Sequence, residues 1–165
     1  MESSAAGSPP GPEIPPVRKG DVARRFLAFF VDSVIAWGAF WLLAWAFDAY
    51  AGYTLGAFVA GGYYLVRDGL GKGFLRGRSP GKTLVNLRVA HLDDTLPSIS
   101  ASIKRNWMFG AVFTGALPFL RTIGVLLALG ALVVTCYEGY KVLTDTAGRR
   151  WGDELAGTKV VKSAA

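Results

Sequence analysis

"RRFLAFFVDSVIAWGAFWLLAWAF", Arg24 to Phe47, is apolar from end to end apart from two leading arginines and one aspartate, Asp32. Its apolar part, Phe26 to Phe47, is about 22 residues, or ~33 Å at the helical rise, which is enough for a hydrocarbon layer ~30 Å thick. The stretch reads as the first span of a membrane protein. Composition points the same way: of 165 residues 52% are hydrophobic and only 18% are charged, and the mean hydropathy is +0.34, all displaced from soluble averages.

Upstream, "MESSAAGSPPGPEIPPVRKG" is rich in Pro, Gly and Ser and has no apolar core. It is neither a signal peptide nor a folded element, so residues 1–20 are expected to be a disordered cytoplasmic tail before a transmembrane domain over residues 21–162. Downstream, "YAGYTLGAFVAGGYYLV" gives a second span over residues 50–66, with tyrosines at both ends where amphipathic rings favour the interface. Gly52 and Gly56 form a GxxxG that Gly61 and Gly62 extend, a small-residue face suited to close helix packing. Met108 to Leu143 is about 36 residues, or ~54 Å as one helix, too long for a single crossing. Pro118 and Arg121 mark the bend, giving a third span over residues 100–120, entered from a polar turn at Ser98 and Ser100, and a fourth over residues 122–143. The purely apolar part of the third, Met108 to Leu120, covers only ~20 Å, so a re-entrant segment stays open as an alternative.

Charge decides between topologies. With four spans, 17 of the 18 basic residues fall on one side and only Arg121 on the other. That is the cytoplasmic bias expected with both termini inside, and a three-span chain would strand the basic C-terminus outside. The net charge of +6 is accounted for by this bias; no basic, aromatic-studded face implies nucleic acid, and the expected partners are the bilayer and its anionic head groups. Cys136 and His91 are each the sole residue of their type, so no disulfide framework, metal cluster or cofactor is expected. No Ser/His/Asp set or recognisable carboxylate pair suggests an enzyme or a catalytic residue.

The segment between the second and third spans, residues 67–99, is polar. Leu87 and Val89 flank Arg88 in a period-two pattern that ends at the Asp93-Asp94 turn, and "GTKVVK", Gly157 to Lys162, is a second β-branched run on the same side. The expected fold is thus an all-α membrane protein, a four-helix transmembrane bundle with a small cytoplasmic two-stranded β element. Within the loop "GRSPGKTL" imitates a phosphate-binding loop, but Arg76 stands where the first glycine belongs and Pro80 lacks an N–H. It reads as a turn against the membrane surface, with Arg78 and Lys82 near lipid phosphates.

Asp32 needs an explanation of its own. An aspartate at a span centre disfavours insertion by roughly 2.5 to 3.5 kcal/mol, against a gain of ~0.3 to 0.6 for each apolar residue. Asp32 lies nearer the cytoplasmic boundary, where the penalty is smaller, but it still requires a partner or water. Arg25 is two turns away, ~10.5 Å along the axis and on nearly the same face. Ala28 lies between them and leaves room for another chain element or water.

"RRFLAFFVD", "GRSPGKTLVNLRVA" and "RRWGDELAGTKVV", in this order, resemble the RDD family of prokaryotic membrane proteins, named for an arginine and an aspartate in the first helix and a further aspartate near the end. The resemblance spans most of Arg24 to Val161 and maps that last aspartate onto Asp153. Where the family often has a histidine before it, this chain has Gly152. Membership implies a multi-pass protein of the prokaryotic inner membrane whose function is unresolved, with transport suggested. Arg25, Asp32 and Asp153 are expected to meet at the cytoplasmic boundary, either as a structural cluster joining the C-terminal strand to the first helix or as a site. Lys82 and Glu138 are secondary candidates, Glu138 as an intramembrane carboxylate or as a surface partner of Lys141. Transport of a small ion or solute, of the cation/proton exchange type, is the first functional expectation, in a homo-oligomer packed through the Gly-rich second helix. A non-transporting accessory subunit that recruits a soluble partner through its basic face is the alternative.

Overall fold

The computed structural model describes residues 19–70 and 77–163. Residues 1–18, most of the expected disordered tail, lie outside the described residues, as does Arg76. The chain is mostly helical: α1 (Lys19–Ala46), α2 (Ala49–Val66), α3 (Pro80–Leu84), β1 (Leu87–His91), α4 (Ile99–Val112), α5 (Arg121–Thr144), α6 (Trp151–Leu155) and β2 (Thr158–Lys162). Two 3-10 turns, Phe113–Ala116 and Pro118–Leu120, connect α4 to α5.

Among the described residues, two helices are long and apolar enough to cross a membrane, Val22–Ala46 within α1 and Ile123–Thr144 within α5. Only 22% and 17% of their apolar windows are buried in the chain, whereas the core helix of a soluble protein is mostly buried. α2 is shorter and diluted by glycine and tyrosine. α4 is shorter still, 14 residues or ~21 Å, so the continuous third span expected over residues 100–120 is instead an α-helix followed by 3-10 turns. Pro118, lacking an N–H, opens the second of these turns, which is why the regular helix cannot run through to Leu120.

Sequence dictates how the helices join. Asp48 caps α2 by accepting from the Tyr50 and Ala51 amides, both at 3.0 Å, and the two-residue link turns α2 back along α1. The small-residue face of α2 then closes on its neighbours: a Cβ on Gly52 would lie 2.8 Å from the Leu43 carbonyl, one on Gly56 2.9 Å from the Phe40 carbonyl, and Gly61 faces the Gly110 carbonyl. Gly52 and Gly56 thus pack within the chain, as close helix packing requires, while a Cβ on Gly62 would meet nothing within 4 Å. Phe40, Tyr64, Phe109 and Phe113 fill the core between α1, α2 and α4 with Ala36, Ala57 and Ala60.

At the end where α1 begins and α5 finishes, the polar elements gather. β1 and β2 pair antiparallel, with Val89 opposite Val160, as the two β-branched runs foretold. α3 sits against α1, and a Cβ on Gly81 would overlap the Ala28 carbonyl. Ala28 and Gly81 together are what allow that approach. Gly81→Ala is therefore expected to push α3 off α1, at a cost of about 1–3 kcal/mol or more because the obstacle is backbone; a lowered thermal unfolding midpoint in detergent would register it, and an unchanged midpoint would refute the contact.

Candidate functional site

Asp32 is 1% exposed and fully solvated by protein. Its Oδ1 accepts from the Tyr63 hydroxyl at 2.8 Å and the Gly81 amide at 2.9 Å; its Oδ2 accepts from the Ser79 hydroxyl at 2.5 Å and Arg67 at 3.2 Å. Four donors explain how a carboxylate survives inside an apolar helix. Ser79 is also the N-cap of α3, so the loop that fails as a phosphate cradle is wrapped instead around the chain's own carboxylate. Arg67, the partner of Asp32, lies over the Tyr64 ring at 4.6 Å, in the position that the sequence reading had given to Arg25.

A second carboxylate lies beside this one. Asp68, 0% exposed, pairs with Lys82, receives the Asn106 amide at 3.0 Å and lies 3.7 Å from Arg105. Burial acts to raise its pKa, but Lys82, Arg105 and Arg67 outweigh it and hold the carboxyl well below the usual range. Lys82 is thus buried in an ion pair rather than set against lipid phosphates. Burial first, and then Arg105 and Arg67, push its ammonium down to about 7 against the pull of Asp68.

Arg105 continues the chain of charges, 2.8 Å from Asp153. Asp153 lies 3.5 Å from Arg150, which lies 3.5 Å from Glu138. Arg150 also donates to Asn106 Oδ1 at 2.7 Å. Glu138 accepts from the Gly152 amide at 2.7 Å and is 3% exposed. It is therefore no surface partner of Lys141, which pairs with Glu154. Asp153 ties the C-terminal segment to α4 through Arg105, not to α1. That second task falls to Arg25, which donates to the backbone carbonyls of Gly148 and Val160.

Arg25, Asp32, Glu138, Asp153 and Lys82 all line one cleft of about 130 Å³. They share this cleft, in which Asp32 meets Arg67 and Asp153 meets Arg105 and Arg150. Sequence reasoning missed Arg67, Asp68, Arg105, Asn106 and Arg150 as site residues. The signal for the first two was a charge doublet at the end of an apolar span, "YYLVRDG". For the next two it was polar residues at 102, 105 and 106, one face of α4 under the helical period.

A model of the RDD family matches residues 19–157. The chain belongs to the RDD family. No curated protein and no solved structure matches it. The family is one of membrane proteins, in keeping with the two membrane-length helices. A Cβ at Gly152 would overlap the Arg105 carbonyl, so the absence of a side chain there lets its backbone amide reach Glu138.

Proposed function

We propose that the chain is a four-span membrane protein with both termini in the cytoplasm, and that its cleft receives a small ion or solute at the cytoplasmic boundary in a transport cycle. Exposed aromatic side chains support the placement: Trp41, Trp45 and Tyr50 ring one end, and Trp107, Tyr140 and Trp151 the other, as in interfacial belts. The observation that carries the reading is the cleft itself, walled in part by the two membrane-length helices and lined by ionisable groups, which are functional candidates at membrane depth.

The lining favours an anion over the cation of a cation/proton exchanger. Arg25, Arg67, Lys82, Arg105 and Arg150 stand against Asp32, Glu138 and Asp153. Asp32, with all four acceptor sites engaged, is a clasp and not a carrier.

Flux in proteoliposomes tests this. Wild-type protein should move a small anion down an imposed gradient and fall to the protein-free rate when Gly139, which faces the cleft, is changed to Trp. Flux of sodium or potassium coupled to protons instead would restore the cation reading. Absence of any flux from folded, oriented protein would leave the accessory-subunit reading, in which the basic face holds a soluble partner.

A further inference from the structure

Depth in a membrane can be measured along the helices themselves. By the helical rise Asp32 lies ~21 Å from the end of α1 at Ala46, Arg67 ~27 Å from the start of α2 at Ala49, and Glu138 ~26 Å from the start of α5 at Arg121. The hydrocarbon layer is ~30 Å thick. With those helix ends at the outer face, all three polar residues fall short of the inner boundary, and any tilt of the helices moves them farther from it. Apolar surface continues past them: Phe26, Leu27 and Phe30 on α1 and Leu143 on α5 are each more than half exposed.

α3 is tied to this level. Gly81 lies against the Ala28 carbonyl, and its amide and the Ser79 hydroxyl both reach Asp32. The last residue of α3, Leu84, is 71% exposed. The start of α3 is also built for a site without water. The first N–H groups of a helix have no intrahelical acceptor, and at an open surface water serves them. Here Pro80 has none to offer, Gly81 donates to Asp32 Oδ1 at 2.9 Å, Lys82 to Ser79 Oγ at 3.3 Å and Thr83 to the Ser79 carbonyl at 2.9 Å. The Thr83 hydroxyl donates to that same carbonyl at 3.0 Å, and the Lys82 ammonium is paired with Asp68. Backbone outside a spanning helix is tolerated at membrane depth only when protein satisfies it in this way.

We propose that α3 is a re-entrant element of the membrane, which dips below the head groups of the inner leaflet against α1 and places Leu84 among the acyl chains. The assignment rests on the four-span placement but not on transport. In water an exposed leucine would need no explanation; the depth of α3 and its water-free start together assign this one to lipid. Asp32 then holds a lipid-embedded loop in place, and the part of the cleft wall that Asp32 and Lys82 share lies beneath the membrane surface.

The test is electron paramagnetic resonance on the full chain in nanodiscs of phosphatidylcholine and phosphatidylglycerol, with the one native cysteine removed as Cys136→Ser and a nitroxide attached at Leu84→Cys. Oxygen partitions into acyl chains and a nickel chelate into water, so their relative collision rates report the depth of the label. Leu84 is mostly exposed, so its replacement leaves the packing intact. Phe30→Cys on α1 and Leu129→Cys on α5, both exposed, are the acyl-chain references, and Thr146→Cys, exposed beyond the end of α5, is the aqueous one. The label at Leu84→Cys should favour oxygen over the chelate as the two helix labels do, with the order reversed at Thr146→Cys. A label at Leu84→Cys that behaves as at Thr146→Cys, while the helix labels report lipid, would overturn the proposal and leave the spans standing. Aqueous behaviour at Phe30→Cys and Leu129→Cys would overturn the span placement and the re-entrant α3 with it. Absence of flux alongside a lipid-exposed Leu84→Cys would retire the transport reading and keep α3 in the membrane.

Discussion

Asp32→Ala is expected to destabilise the protein by about 3–5 kcal/mol, the usual result of removing one partner from a buried ion pair. The change strands four donors at once: Tyr63, Ser79, the Gly81 amide and Arg67, the last 3% exposed. Arg67 cannot escape to water, because its guanidinium is packed against Tyr64, Phe29 and Phe109. Asp32→Asn should cost less, since it keeps one acceptor but turns an amide N–H₂ toward donors. Asp48→Ala supplies the contrast: it deletes the same residue type from an exposed cap and should cost only ~1 kcal/mol. Thermal unfolding in detergent would order the variants as Asp32→Ala, Asp32→Asn, Asp48→Ala, wild type from least to most stable. If Asp32→Asn matched wild type in stability, Asp32 would not be a clasp, and a role in carrying protons would be open again.

That assignment turns on what one-dimensional reading can see. The first helix was legible because a stretch of twenty-odd residues broken by so few polar ones has few alternatives, and α5 because the apolar run from Met108 to Leu143 is too long for one crossing and divides at Pro118. The strand pair was legible from Leu87 and Val89 alternating about Arg88 and from the run "KVV" near the end. The room beside Ala28 was legible too, although its occupant, Gly81, was not: the contact joins residues 53 apart and depends on α3 capping itself at Ser79. The pairing of charges was the least legible. Arg25 lies two helical turns from Asp32 along one helix, while Arg67 reaches it across a helical hairpin, a contact that linear spacing does not show. A basic residue at a span boundary looks like a topology signal; Arg67 and Arg105 are also structural counter-ions, a role set by antiparallel packing through glycines that charge counting does not resolve.

Asp68→Asn should be the most damaging change in the loop, and its effect should depend on pH. Asp68 is held by Lys82, Arg105 and Asn106, and its amide donates to Ser102 Oγ at 3.2 Å, so it joins the end of α2 to α3 and α4 together. Neutralising it leaves Lys82 and Arg105 as buried cations, at an expected cost of about 3–5 kcal/mol near neutral pH. Its folded pKa lies below the ordinary carboxylate value. Its contribution is therefore fully present above the unfolded pKa and is lost as pH falls through about 4 toward the folded value. Wild-type stability should drop across that acid range, while Asp68→Asn, already lacking the contribution, should show a shallower acid slope, so that the two unfolding curves converge at low pH. Parallel curves would mean that Asp68 titrates normally in the folded protein. Lys82→Met separates the hub from its spokes: it removes one cation and leaves Arg105, which also reaches Asp153, to hold Asp68. Its cost should fall short of that of Asp68→Asn, because a carboxylate with two remaining partners is better solvated than two cations with none between them.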